Sequence, residues 1–191
     1  MSLILVISGP AGVGKTTICN RLLDEFSNQL TRVVTTTTRK PRKGERHGKD
    51  YYFTELEEFK SLVKKNAFLE HEVIHGNYYG TSRRAVCNKI KESKNVLINI
   101  DVAGAKTLST EITKENNFEA KIVSIFLKPN NLNVLKQRLK DRGSDSTEEI
   151  DRRLKTAKNE ILLADNFNHT IISNEKDRDY SLVKAIYLNN T

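Results

Sequence analysis

Eight consecutive residues, Gly9-Pro10-Ala11-Gly12-Val13-Gly14-Lys15-Thr16, match Gly-x-x-x-x-Gly-Lys-Ser/Thr at every specified position. In such a loop the backbone N–H groups and the dipole of the following helix favour anionic oxygens. Lys15 supplies a positive charge to the outer phosphates of a nucleoside triphosphate, and the Thr16 hydroxyl offers a ligand to magnesium. A glycine-rich turn that binds nothing would show the same letters. The surroundings decide for the loop: Leu3-Ile4-Leu5-Val6-Ile7 reads as a buried strand before it, and Thr16 to Leu23 as a helix after it, with Ile18, Leu22 and Leu23 apolar.

A second chemical stretch runs from Thr35 to Tyr51 and carries Arg39, Lys40, Arg42, Lys43, Arg46 and Lys49. Arg39 and Arg42 flank Pro41, which fixes the backbone locally. Paired guanidiniums with the Tyr51 hydroxyl would form a phosphate clamp separate from Lys15. A solvated basic loop is the other reading, and residue types alone leave both open. Asp101 ends the apolar run Val96 to Ile100 and is placed to support the magnesium shell beside the loop, or simply to cap the next turn. Arg138, Arg142, Arg152 and Arg153 lie on two helices joined by the polar break Gly143 to Ser146. They form either a lid closing on phosphates or a surface hairpin with solvated arginines.

The elements that must hold these residues alternate. Strands are expected at Arg32–Thr35, Phe68–Val73, Val96–Asp101, Ile122–Leu127 and His169–Ile172. Helices are expected after the capping signatures Thr54-x-x-Glu57 and Ser146-x-x-Glu149, after Ser82 up to about Lys91, from about Leu132, and near Arg178–Tyr187. Strand–helix alternation implies an α/β fold with a parallel sheet covered on both faces.

The totals exclude other classes. A chain of 191 residues with 37% hydrophobic and 29% charged residues is one soluble domain rather than a disordered segment. No run approaches the ~20 apolar residues of a membrane span. The N-terminus enters the first strand directly, so a secretory leader is not expected. Cys19 and Cys87 match no metal or redox spacing and read as reduced thiols in helices, which suits the cytoplasm. The net charge of +8 fits either a nucleic-acid surface or a site for small phosphates, and no aromatic-interleaved basic platform supports the first.

Taken together, these motifs resemble guanylate kinases over essentially the whole chain. The loop is similar to that family's Gly-Pro-Ser-Gly-x-Gly-Lys-Ser/Thr, with Ala11 for serine. More specific is Thr37-Thr38-Arg39-x-Pro41-Arg42-x-Gly44-Glu45-x-x-Gly48-x-Asp50-Tyr51-x-Phe53. Gly76 to Thr81, Ile100-Asp101, Arg138-Leu139-x-x-Arg142-Gly143 and Ile172-x-Asn174 follow in the family's order. Asn99 and Ala103 stand where the family commonly has aspartate and glutamine, and Thr35 replaces a serine.

The resemblance implies transfer of the terminal phosphoryl group of ATP to GMP, with magnesium. It implies a three-layer phosphate-loop core (about 1–34, 95–130 and 155–191), an inserted GMP-binding subdomain (about 35–94) and a helical lid (about 131–154). Gly9 to Thr17 and Asn174 would bind ATP, with Thr16 and Asp101 toward the metal. Thr35, Arg39, Arg42, Glu45, Tyr51, Glu70, Tyr79, Gly80, Thr81 and Asp101 would bind GMP. Lys15, Arg39, Arg138, Arg142 and Arg153 would compensate charge on the transferring phosphoryl. Glu70 would read guanine, whose N1–H and N2 amine present two adjacent donors to a carboxylate. Adenine offers no such pair, and a site of this kind rejects the wrong partner by ~10⁴-fold. The competing expectations are a kinase for another monophosphate and a non-catalytic binding module of scaffold proteins. Glu70 weighs against the first, the intact Lys15 and Thr16 against the second.

Overall fold

Strand β1 (Ser2–Ser8) is buried along nearly its whole length, and its side chains divide between two cores. Leu3, Leu5 and Ile7 point into one hydrophobic cluster, Ile4 and Val6 into another. Only a sheet covered on both faces produces such a strand, because successive residues alternate sides. The computed structural model, which describes residues 1–92, 94–114, 119–141, 143 and 145–191, shows that sheet. Its order is β2 (Leu30–Arg32), β7 (Asn95–Asn99), β1, β8 (Ala120–Pro129) and β9 (His169–Ser173), all parallel.

On one face pack α1 (Lys15–Glu25), α5 (Leu132–Asp141), α6 (Thr147–Ile161) and α7 (Lys176–Leu188), through Ile18, Leu22, Leu135, Leu139, Ile150, Ala157, Val183 and Tyr187. On the other lie α3 (Arg83–Lys91) and α4 (Val102–Lys114), through Val86, Ala105, Leu108 and Ile112. The three-layer α/β expectation is met. Ser82 caps α3 by accepting the Ala85 N–H, and Ser146 caps α6 by accepting the Glu149 N–H, both as expected.

A second sheet has the order β4 (Tyr52–Phe53), β3 (Thr36–Thr37), β6 (Asn77–Ser82), β5 (Phe68–Ile74). It shares packing with the first: Leu69 of β5 and Val86 of α3 belong to the same cluster as Ile4, Val6, Val96 and Ile98. The strand expected at Arg32–Thr35 divides here. β2 ends at Arg32, Val33 still donates to the Leu97 carbonyl at 3.1 Å, and the chain then crosses to β3 through Thr35. The capping box expected at Thr54 does not form. Thr54 N–H remains bonded to the Thr37 carbonyl of the second sheet at 2.9 Å, which keeps it outside the helix. Helix α2 (Leu56–Lys64) starts after Glu55, and the Thr54 hydroxyl bonds Glu58 instead of pairing with Glu57.

Candidate active site

The β1–α1 loop opens at the carboxyl end of the central strand, where open α/β sheets bind ligands. Gly9 has φ +135°, and a Cβ there would lie 2.4 Å from the Leu127 carbonyl oxygen of β8. Only glycine permits this close crossing of loop and strand. Lys15 Nζ bonds the loop's own Gly9 and Pro10 carbonyls, so the ammonium lies over the cradle. The Val13 side chain is in the core, and its carbonyl accepts from Arg138 Nη1 and Ser173 Oγ, both at 3.2 Å.

A cleft of about 800 Å³ runs from this loop to the second sheet. It collects Gly9, Ala11, Gly12, Gly14, Lys15, Thr16 and Thr17 with Thr35, Arg39, Arg42, Glu45, Tyr51, Glu70, Tyr79, Gly80, Asp101 and Arg153. Residues from distant parts of the sequence thus meet in one place. Arg39 lies over the Tyr51 ring, 5.4 Å from its centroid, and Tyr51 and Tyr79 meet edge to face at 6.0 Å. Glu45, expected to bind substrate, is bonded within the protein. Both its carboxylate oxygens sit 2.9 Å from Arg39 Nη2, and Oε2 also accepts the Arg42 N–H at 2.8 Å. It holds the clamp in shape, because its acceptors are occupied by the arginines.

Glu70 is 4% exposed at the deep end of the cleft. A bulge between Phe68 and Glu70 breaks the β5–β6 register, so two residues of β5 face one of β6. Phe68 stacks on Phe59, Leu69 enters the main core, and Glu70 reaches the cleft opposite Thr81. The fully buried Thr81 hydroxyl donates to Glu70 Oε1, so Thr81 orients the carboxylate from behind. Burial pushes Glu70 up to about 7, with the Asp101 and Glu72 charges adding and the Thr81 bond opposing. Gly104 makes the arrangement possible: a Cβ there would lie 2.7 Å from Glu70 Oε2 and 2.9 Å from Asp101 Oδ1. Asp101 caps α4 by accepting the Gly104 N–H at 2.9 Å and lines the cleft as well. Burial raises its pKa, and the Lys15 charge lowers it.

Arg138 and Asn174 face a separate cavity of about 90 Å³ with Asn130 and Asn131, which puts Arg138 away from the cleft where the lid arginines were expected. The reason is the packing of α5, whose Leu135 and Leu139 lie against Gly12 and turn Arg138 toward the Val13 carbonyl. Arg142 lies outside the described residues. Arg153 reaches the cleft from α6, held by Asp145 at 3.3 Å and Glu149 at 3.0 Å. Residue types alone missed several further lining groups: Arg32, His75, Asn99, Asp145, Glu149 and Glu160. Glu149, Arg153, Thr156 and Glu160 recur at helical spacing along one face of α6, a signal visible in the sequence but drowned by that helix's other charges. Burial pushes Glu160 up to about 7, against the Lys15 charge.

A parallel α/β core with the Gly9–Thr16 loop at the carboxyl end of its central strand, opening on a cleft lined by Arg39, Arg42 and Glu70, has the architecture of a phosphate-loop nucleotide-binding protein. Family-model comparison matches residues 1–189 to guanylate kinase. The chain is 42% identical over 186 residues to a guanylate kinase of Rickettsia bellii, covering 97% of this chain and 93% of that one. It is 40% identical over 184 residues to a guanylate kinase of Clostridium acetobutylicum, covering 96% and 84%. The crystal structure of guanylate kinase from Anaplasma phagocytophilum superposes with TM-score 0.76 at 29% identity, covering 98% of this chain and 85% of that one. The chain belongs to the guanylate kinase family.

Proposed function

We infer that the chain transfers the terminal phosphoryl group of ATP to GMP, giving ADP and GDP. The observation that carries this reading is the buried Glu70 carboxylate, oriented by Thr81, at the far end of the cleft that begins at Lys15. Guanine would place its N1–H and N2 amine on that carboxylate, with the Thr35 hydroxyl near the base. Arg39, Arg42, Tyr51 and Tyr79 would hold the 5′-phosphate. One of its oxygens attacks the γ-phosphorus in line as the bond to the β–γ bridging oxygen breaks, and ADP leaves. Catalysis is then positioning and charge compensation, which Lys15 and Arg153 supply, with no side-chain nucleophile. The segment 35–94 serves the acceptor and 131–154 the closing arm.

The adenine end of ATP would lie at the small cavity lined by Arg138 and Asn174. Among the described residues no three acidic, histidine or cysteine side chains converge to hold a metal by themselves. The oxygen donors at the loop, Thr16 and Asp101, fit a magnesium ion whose remaining ligands are phosphates and water. Such an ion neutralises charge on the β- and γ-oxygens. No described helix is long and apolar enough to cross a membrane, and the buried Cys19 is a free thiol, which suits a cytoplasmic setting. A coupled ADP-release assay with GMP, AMP, CMP, UMP and dTMP tests the reading. GMP is expected to turn over at least ~10²-fold faster than AMP. Equal rates would overturn it.

A further inference from the structure

Arg32 lines the cleft but has no part in the chemistry above. It is the last residue of β2, paired with Leu97 of β7, two residues before the neutral Asn99 that also faces the cleft. Its Nη2 donates to the Asp50 carbonyl at 3.1 Å, and its Nε is buried without a hydrogen-bond partner among the described residues. The Asp50 carboxylate is engaged elsewhere, accepting the Arg46 N–H at 2.8 Å. Arg39 and Arg153, by contrast, are each matched by carboxylates. Arg32 is thus a cation bonded to a neutral carbonyl, with Nη donors left over on a side chain that lines the cleft. A phosphate oxygen is the acceptor that best matches a guanidinium.

The position is telling. The Arg32 charge is felt at Cys19, in the helix behind the phosphate loop, and at Tyr51, in the acceptor clamp. In both cases it opposes the effect of burial, which pushes Cys19 up to about 12 and raises Tyr51. The guanidinium lines the cleft that runs from the loop to Arg39 and Arg42, and its bond to the Asp50 carbonyl ties it to the acceptor segment. We propose that Arg32 is a further phosphate-binding residue of the acceptor site, donating to the 5′-phosphate of GMP together with Arg39 and Arg42. This rests on the GMP reading given above.

NMR titration of the full chain with GMP and with guanosine tests it, because guanosine keeps the base and ribose but lacks the phosphate. Arg32→Gln preserves an N–H for the Asp50 carbonyl but removes the charge. It is expected to weaken GMP about 20-fold and leave guanosine within about twofold. Arg32→Lys keeps the charge without the planar fork and is expected to weaken GMP only about fivefold. GMP affinity unchanged in Arg32→Gln would show that only the carbonyl bond matters and would overturn the proposal. So would equal weakening of GMP and guanosine, or a fall in kcat with GMP affinity unchanged. If a thermal melt shows Arg32→Gln unfolded, Arg32→Lys decides: selective weakening of GMP supports the proposal, and no change or equal weakening overturns it. A parent chain that binds neither ligand would fail the GMP reading itself, which keeps the two failures apart.

Discussion

The donor loop draws its groups from Gly9 to Thr16, neighbours in sequence, whereas the acceptor side assembles Thr35, Arg39, Tyr51, Glu70 and Tyr79 from separate strands and loops. On the proposed reading the loop binds mostly with backbone N–H groups, fixed by the crossing of Gly9 over Leu127. The acceptor side would bind with side chains, each supported by another: Glu45 behind Arg39, Thr81 behind Glu70. Backbone recognition reads phosphate and nothing else. Side chains would carry the choice of base, and Glu70 has burial, a supporting partner and the gap at Gly104. On that reading specificity is the more elaborate structure and the easier one to damage.

The comparison breaks most visibly at Lys15. Lys15→Ala is expected to lower kcat by about 10³-fold or more without unfolding the chain, because it removes charge from the transferring phosphoryl. A near-normal rate in the ADP-release assay would refute that role. Glu70→Gln is expected to cut the preference for GMP over AMP by about 10²-fold and to leave KM for ATP within about twofold. An unchanged ratio would detach base choice from this carboxylate.

The same variant carries a pH signature. Glu70 is pushed up to about 7, so the protonated form prevails below that pH and cannot accept both guanine donors. KM for GMP is expected to rise about tenfold between pH 7.5 and 6, with no such rise in Glu70→Gln. The stability effect runs the other way. The folded chain holds the Glu70 proton more tightly than an unfolded carboxyl of ordinary pKa 4.5, so this group's contribution to stability falls as pH rises from 4.5 to about 7. Melting curves across that window should show Glu70→Gln gaining on the parent, and a constant difference would contradict the buried, protonated state.

Smaller effects sharpen the contrast. Gly104→Ala places a methyl 2.7 Å from Glu70 Oε2, so KM for GMP should rise about tenfold while KM for ATP stays put. Equal changes in both would mean α4 had shifted as a whole. Ser82→Ala removes the cap of α3 and should lower unfolding free energy by about 1 kcal/mol with both KM values nearly unchanged. A kinetic defect there would tie α3 to the chemistry.

Much of the donor side was legible in the sequence because it is local: the apolar run of β1, the glycines and Lys15 lie within one short window. The Ser146 cap was legible for the same reason. Thr54 failed because a bond to Thr37, far along the chain, holds it in the sheet. Arg138 has the right type and spacing for a lid, yet the packing of Leu135 and Leu139 on Gly12 decides where it points. Arg32 and Asp145 carry no local signature, since their place in the cleft exists only once β2, α6 and the loop are folded together.

Leu69 and Glu70 are adjacent, and the bulge sends one into a hydrophobic core and the other to the cleft. On the proposed reading the β5 backbone is a lever with hydrophobic packing at one end and nucleotide choice at the other. A core substitution that shifts Leu69 by a fraction of an ångström would move the Glu70 carboxylate with it. Evolutionary drift in an ordinary buried leucine would then be exposed to selection through substrate fidelity before it is exposed through loss of fold.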